Sequence, residues 1–206
     1  MTASEHVPGA PVSRAELVDR QAVRSASSSV TGMVLLVASE AVFFSAFFGI
    51  WAVSYTATSV WPPARIQTPT LAVPTVGVVV LLLSGATMAL AMRQAHRAEF
   101  RRTALLGWLA AALVCAVAFA VLTAIGYASL PFSVGQGIYE SLFYMVIGLE
   151  FAHIVGGAVL LGVVMARTWT GELALRRDPI QATAIYWYFV VVLGVVIYLV
   201  LYLSGA

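Results

Sequence analysis

The sequence predicts an all-α integral membrane protein, a bundle of five transmembrane helices. Three observations predict it. Hydrophobic residues make up 61% of the 206 and charged residues only 10%, where soluble domains carry about 25% charge. The mean hydropathy is +0.95. The apolar residues gather into five long runs separated by short arginine-bearing segments. A soluble domain of this size has too little surface charge here to cover its apolar atoms, so a soluble enzyme and a disordered scaffold are excluded. A pI near 8.9 does not make a nucleic-acid binder, because the arginines lie between apolar runs and form no phosphate-binding face.

Residues 1–30 form a polar N-terminal tail with Pro8, Pro11, three arginines and three acids. Mixed early charges and the lack of an uninterrupted apolar stretch argue against a cleavable signal peptide. Ser13-Arg14-Ala15-Glu16 reads as a capping box, which predicts helix from Ser13 onward. The spans then fall at about 31–55, 73–92, 104–127, 138–166 and 182–203. Each reaches the ~20 residues that cross ~30 Å of hydrocarbon as a helix. Without period-2 alternation, such runs satisfy their backbone groups only as helices.

All 11 cations are arginine. Arg14, Arg20, Arg24, Arg93, Arg97, Arg101, Arg102, Arg167, Arg176 and Arg177 flank alternate ends of the spans, and Arg65 alone lies on the other side. By the positive-inside rule the N-terminus is cytoplasmic and the C-terminus outside. Trp61, Tyr127, Trp108 and Trp169 sit near span ends, where an aromatic belt would place them. Cys115 is the single cysteine, so an intrachain disulfide is excluded, and mid-span it reads as a small buried hydrophobe.

Three ionisable residues lie deep in spans: Glu40 in the first, Glu150 and His153 in the fourth. A charged group facing lipid costs a few kcal/mol at least. Each is therefore expected to face the bundle interior, carry a proton in the case of a carboxyl, or touch water or a headgroup. Glu150 and His153 are spaced i, i+3 and are expected on one face. Glu-x-x-His is half of a di-iron site, but that site needs a second such pair and two more carboxylates. Only Glu40 is available in the core, with Glu140 at the outer end of span four, so the ligand count fails. An interhelical hydrogen bond is the plainer reading, beside a proton- or lipid-related role. Gly148, Ala152 and Gly156 form a small-residue stripe, expected to pack closely against a neighbouring helix. No nucleophile–base pair, phosphate loop or haem-ligand set is present. The residues alone indicate a helical membrane subunit without its own catalytic centre. A small proton or cation transporter lined by Glu40, Glu150 and His153 is the rival from another class, although no inverted repeat supports it. A metal enzyme at Glu150 and His153 is a weaker rival.

Four stretches bring a family into view. Ser39-Glu40 with Phe43-Phe44, Trp61-Pro62-Pro63 followed by Pro74 and Leu81-Leu82-Leu83-Ser84, Phe143-Tyr144 with Gly148 and His153-Ile154-Val155-Gly156-Gly157, and Tyr186-Trp187-Tyr188-Phe189-Val190 with Leu201-Tyr202-Leu203 stand in order along the chain. Together they resemble subunit III of haem–copper oxidases, the cytochrome c oxidase subunit III family, in its five-helix bacterial form. The chain departs from the pattern at Glu150, where a histidine is usual, and at Tyr188, Val191 and Gly194, where histidine, aspartate and tryptophan are usual. The family's usual glutamate before Tyr127 is also missing.

The resemblance implies an accessory subunit with no cofactor of its own, beside subunits I and II. Haem and copper are expected in the partners, phospholipid against this chain, and a bacterial cytoplasmic membrane as the location. It implies support for proton uptake into subunit I and for durability during turnover, with Glu40 at the family's membrane glutamate. Related subunits of quinol oxidases and nitric oxide reductases are the neighbouring readings.

Overall fold

The computed structural model describes residues 14–97, 101–171 and 178–203, with side chains from residue 28 onward. Five α-helices follow one another: α1 Arg14–Ala57, α2 Ala72–Ala95, α3 Arg102–Ala128, α4 Ile138–Thr170 and α5 Asp178–Ile197, the last continuing as a π-helical turn over Tyr198–Leu203. All five are long and apolar enough to cross a membrane. The chain is a multi-pass membrane protein.

Punctuation in the sequence explains the ends. No proline interrupts α1 over its 44 residues, and Pro62-Pro63 lie in the loop that follows. Pro74 is tolerated because it sits in the first turn of α2, where a backbone N–H has no partner inside the helix. Gly171 closes α4 in the left-handed conformation at φ +88°, which a residue without Cβ adopts freely. Arg167 in the last turn of α4 and Asp178 in the first turn of α5 suit the helix dipoles. These polar ends are helical but not apolar, which is why α4 and α5 outrun the spans read from hydropathy. The expected capping box rests on Ser13, and Arg176 and Arg177 also lie outside the described residues.

α2 packs on α3, α3 on α4, α4 on α5, and α5 back on α2. These four close a ring, and α1 leans on it from outside, against α5 and α4. Half of the apolar window of α5 is buried within the chain, against 6% for α1. The C-terminal helix is thus the hub. One core cluster, built on Leu81, Met88, Leu105, Leu109, Leu161 and Trp187, fills the half of the bundle near the α2–α3 loop. A second, aromatic cluster fills the other end around Phe44, Trp51, Phe132, Tyr139 and Phe143.

Trp61 belongs to that aromatic end. Its ring lies 5.0 Å from Trp51 and 5.2 Å from Tyr139, both edge-on. Edge-on packing places ring hydrogens against ring faces. The loop between α1 and α2 is thereby pinned onto the bundle. Arg65 ties the same loop down: its guanidinium lies 3.0 Å from Glu140 Oε1 and donates to the Gln136 carbonyl at 3.0 Å.

Candidate functional site

The three ionisable residues expected deep in the spans divide into two places. In the first, α1 brings Glu40 to α4, where Oε2 lies 3.3 Å from His153 Nε2. His153 Nδ1 lies 2.7 Å from the Leu149 carbonyl. A carbonyl can only accept, so Nδ1 carries the hydrogen. Nε2 is therefore the ring atom left to meet the Glu40 carboxyl.

Aromatic rings surround the imidazole. Phe44 meets the imidazole edge-on at 5.3 Å, and Tyr186 stacks on it at 6.2 Å with 13° between planes. Phe189 closes a third side at 6.2 Å. The Tyr186 hydroxyl donates to the His153 carbonyl at 3.2 Å. The imidazole side chain is only 12% exposed and the Glu40 side chain 29%, so the carboxyl is the part that reaches outward.

The second place holds Glu150. It is buried to 4% exposure, and its Oε1 has no hydrogen-bond partner among the described residues. The i, i+3 spacing predicts neighbouring positions on α4, and the structure gives the two side chains different partners. Three residues advance a helix by about 300°, leaving some 60° between the side chains. α4 uses that angle to send His153 toward α1 and Glu150 toward Gly194 of α5. The two do not form one metal-binding pair. Among the described residues no group of three or more His, Cys, Asp or Glu side chains is placed to share a metal ion.

Within the chain, the small-residue stripe makes few contacts of its own. Gly148 has nothing within 4 Å of the position a Cβ would take, and Ala152 is exposed. Gly156 alone meets a neighbour, the Tyr186 hydroxyl, 3.2 Å from such a Cβ. The close approach falls on the next residue. A Cβ on Gly157 would lie 2.6 Å from Trp187 Cζ3. α5 presents a tryptophan rather than a flat backbone, so the fit is a ring against one glycine and not helix against helix along a stripe.

Trp187 is fully buried, and its indole N–H donates to Ser84 Oγ at 3.2 Å. Ser84 passes its own hydrogen to the Leu81 carbonyl at 2.6 Å. Ser84 of α2, Gly157 of α4 and Trp187 of α5 therefore meet at one point, and residues far apart in the chain form a single contact. Sequence reasoning missed this polar node, and it missed the Arg65–Glu140 pair. A signal existed for the latter. Arg65 is the lone cation of its side, and Glu140 is the acid just inside the span nearest to it.

The family model for cytochrome c oxidase subunit III matches residues 16–206. The chain is 31% identical over 188 residues to cytochrome c oxidase subunit 3 of Lumbricus terrestris, covering 85% of this chain and 70% of that protein. It is 34% identical over 187 residues to the same subunit of Yarrowia lipolytica, covering 84% and 67%. It is 30% identical over 196 residues to a probable cytochrome c oxidase subunit 3 of Rickettsia prowazekii, covering 85% and 68%.

Proposed function

Because the chain belongs to the cytochrome c oxidase subunit III family, we propose that it is the accessory, cofactor-free subunit III of a haem–copper terminal oxidase in a bacterial cytoplasmic membrane. It packs beside subunits I and II, which carry the haem and copper. Oxygen reduction and proton translocation belong to the assembled complex. This chain stabilises subunit I, holds phospholipid at its surface and supports proton uptake and durability during turnover. The N-terminus faces the cytoplasm and the C-terminus the outside.

The observation that carries the reading is the family match across residues 16–206. The Glu40–His153 contact fits a positioning role better than a conducting one. It joins α1 to α4 with aromatic rings packed around the imidazole, and a path would need a continuous line of such groups. The lipid role is supported by an apolar groove of about 460 Å³ between α3 and α4, lined by Ala116, Ala120, Phe151 and Val155.

Co-purification tests the reading. The N-terminal tail is tagged, the membrane extracted in mild detergent, and a reduced-minus-oxidised spectrum recorded. Larger polytopic partners and haem bands at stoichiometric yield are expected, and band positions and partner identities separate a cytochrome c oxidase from a quinol oxidase or nitric oxide reductase. A colourless, partner-free chain that conducts protons after reconstitution would replace the reading with the transporter.

A further inference from the structure

Glu150 is not used by the contacts described so far. Its side chain lines a partly open cavity of about 40 Å³ between α2, α3, α4 and the end of α5, and its Oε1, turned toward Gly194, is unpartnered among the described residues. The other polar groups on the wall are Thr123, Tyr198 and Tyr202. Among the described residues no arginine, lysine or histidine lines it. A buried carboxylate without a counter-charge is too costly to persist, so Glu150 carries a proton. A buried neutral carboxyl still needs hydrogen-bond partners, because each one left unmade costs about 1–3 kcal/mol.

The wall can supply them through water. A water needs at least about 10–15 Å³ and two to four polar partners, and a 40 Å³ cavity exceeds that for a short chain of them. The Tyr198 hydroxyl lies 2.7 Å from Thr75 Oγ1, and Thr75 gives its own hydrogen to the Leu71 carbonyl at 2.6 Å. Tyr198 is therefore the donor in that bond, and its oxygen keeps lone-pair capacity toward the cavity. The π-helical turn at the end of α5 carries both tyrosines, with their rings stacked at 5.9 Å.

The cavity has one polar side to open toward. Val73, Pro74, Gly126 and Tyr202 also line a second cavity of about 230 Å³, whose other walls include Gln67, Thr68, Thr70 and Ser129 from the α1–α2 and α3–α4 loops. In the opposite direction stand Leu81 and Trp187, both fully buried. The route is a dead end at Glu150. Gly194 leaves room for the Glu150 carboxyl, because a Cβ there would lie 2.6 Å from Oε1 and would also collide with Leu81. Glu150 and Gly194, two positions where the sequence departs from the pattern it otherwise follows, thus face each other.

We propose that Glu150 is the proton-bearing acid of a buried, hydrated site, which exchanges its proton with the aqueous phase at the α1–α2 and α3–α4 loop end. The titratable groups facing it are Tyr198 and Tyr202 from the end of α5, with none from α2 or α3.

Infrared spectroscopy of the assembled complex tests this. The carboxyl carbonyl band lost in Glu150→Gln identifies the residue. Expected is a single protonated-carboxyl band that shifts within seconds of transfer to D2O, and Gly126→Leu, which narrows the neck between the cavities, is expected to slow that shift to minutes or longer. A band that stays unshifted for hours overturns the exchange. Loss of a carboxylate band instead overturns the bound proton, and an unaltered rate in Gly126→Leu overturns the route. Cryo-electron microscopy of the unmodified complex decides hydration independently of any variant. Ordered water within hydrogen-bond distance of Glu150 supports the site, and a partner side chain filling the cavity overturns it.

Discussion

Replacing Gly157 by alanine should be among the costliest single-methyl additions in this bundle. The added Cβ would stand 2.6 Å from Trp187 Cζ3, 2.8 Å from Cε3 and 3.3 Å from Tyr186 Cε1. Carbon atoms pack best at about 3.5–4.0 Å, so α4 and α5 must separate by roughly 1 Å. The indole cannot swing aside, because it is fully buried and bonded to Ser84. Overpacking of this kind costs about 1–3 kcal/mol. Separation also stretches the indole–Ser84 bond, adding about 0.5–1.5 kcal/mol. The same change at Gly148 meets nothing within 4 Å, and alanine's helix propensity favours it by up to about 1 kcal/mol. Graded denaturant unfolding of the purified subunit in detergent, followed by tryptophan fluorescence, compares the two. Net of the same propensity gain, a loss of about 0.5–4.5 kcal/mol is expected for Gly157→Ala and none for Gly148→Ala. Equal losses at both positions would refute the ring-against-glycine account and restore the small-residue stripe.

Ser84→Ala should cost about 1–3 kcal/mol in the same unfolding assay, because it leaves the buried Trp187 N–H without an acceptor, and in a double-mutant cycle with Trp187→Phe the two losses should fall short of additive. Arg65→Ala strips the buried Glu140 of its cation, while Glu140→Gln removes the charge with it. The first is expected to be the more damaging, and limited proteolysis of the α1–α2 loop reports the difference. The cost stays well below that of a fully buried pair, since Arg65 is 57% exposed. Glu40→Ala leaves His153 Nε2 without its carboxyl, and oxidase activity is expected to decay faster during turnover than in Glu40→Gln, which keeps a hydrogen-bonding group. Unchanged durability in both variants would remove Glu40 from the functional account.

The spans, their order and the identity of the deep polar residues were legible in the sequence because a membrane imposes a one-dimensional rule. Each helix must be apolar over a fixed length, and exceptions such as Glu40, Glu150 and His153 stand out at once. Helix ends were less legible, because Arg167 and Asp178 lie on helix but outside the apolar runs. Resemblance at Ser39-Glu40, Ser84, His153 and Trp187 pointed to the family without saying which of these residues touch.

Partner choice was decided only in three dimensions. The spacing of Glu150 and His153 limits them to neighbouring directions on α4, but the packing of α1 and α5 determines that one meets Glu40 and the other Gly194. The glycine that matters in α4 is Gly157 because Trp187 arrives opposite it, and nothing local to α4 encodes that arrival. Local periodicity reports the solvent a helix needs. Which helix answers a buried side chain depends on contacts between residues far apart in sequence, and these exist only after the bundle has closed.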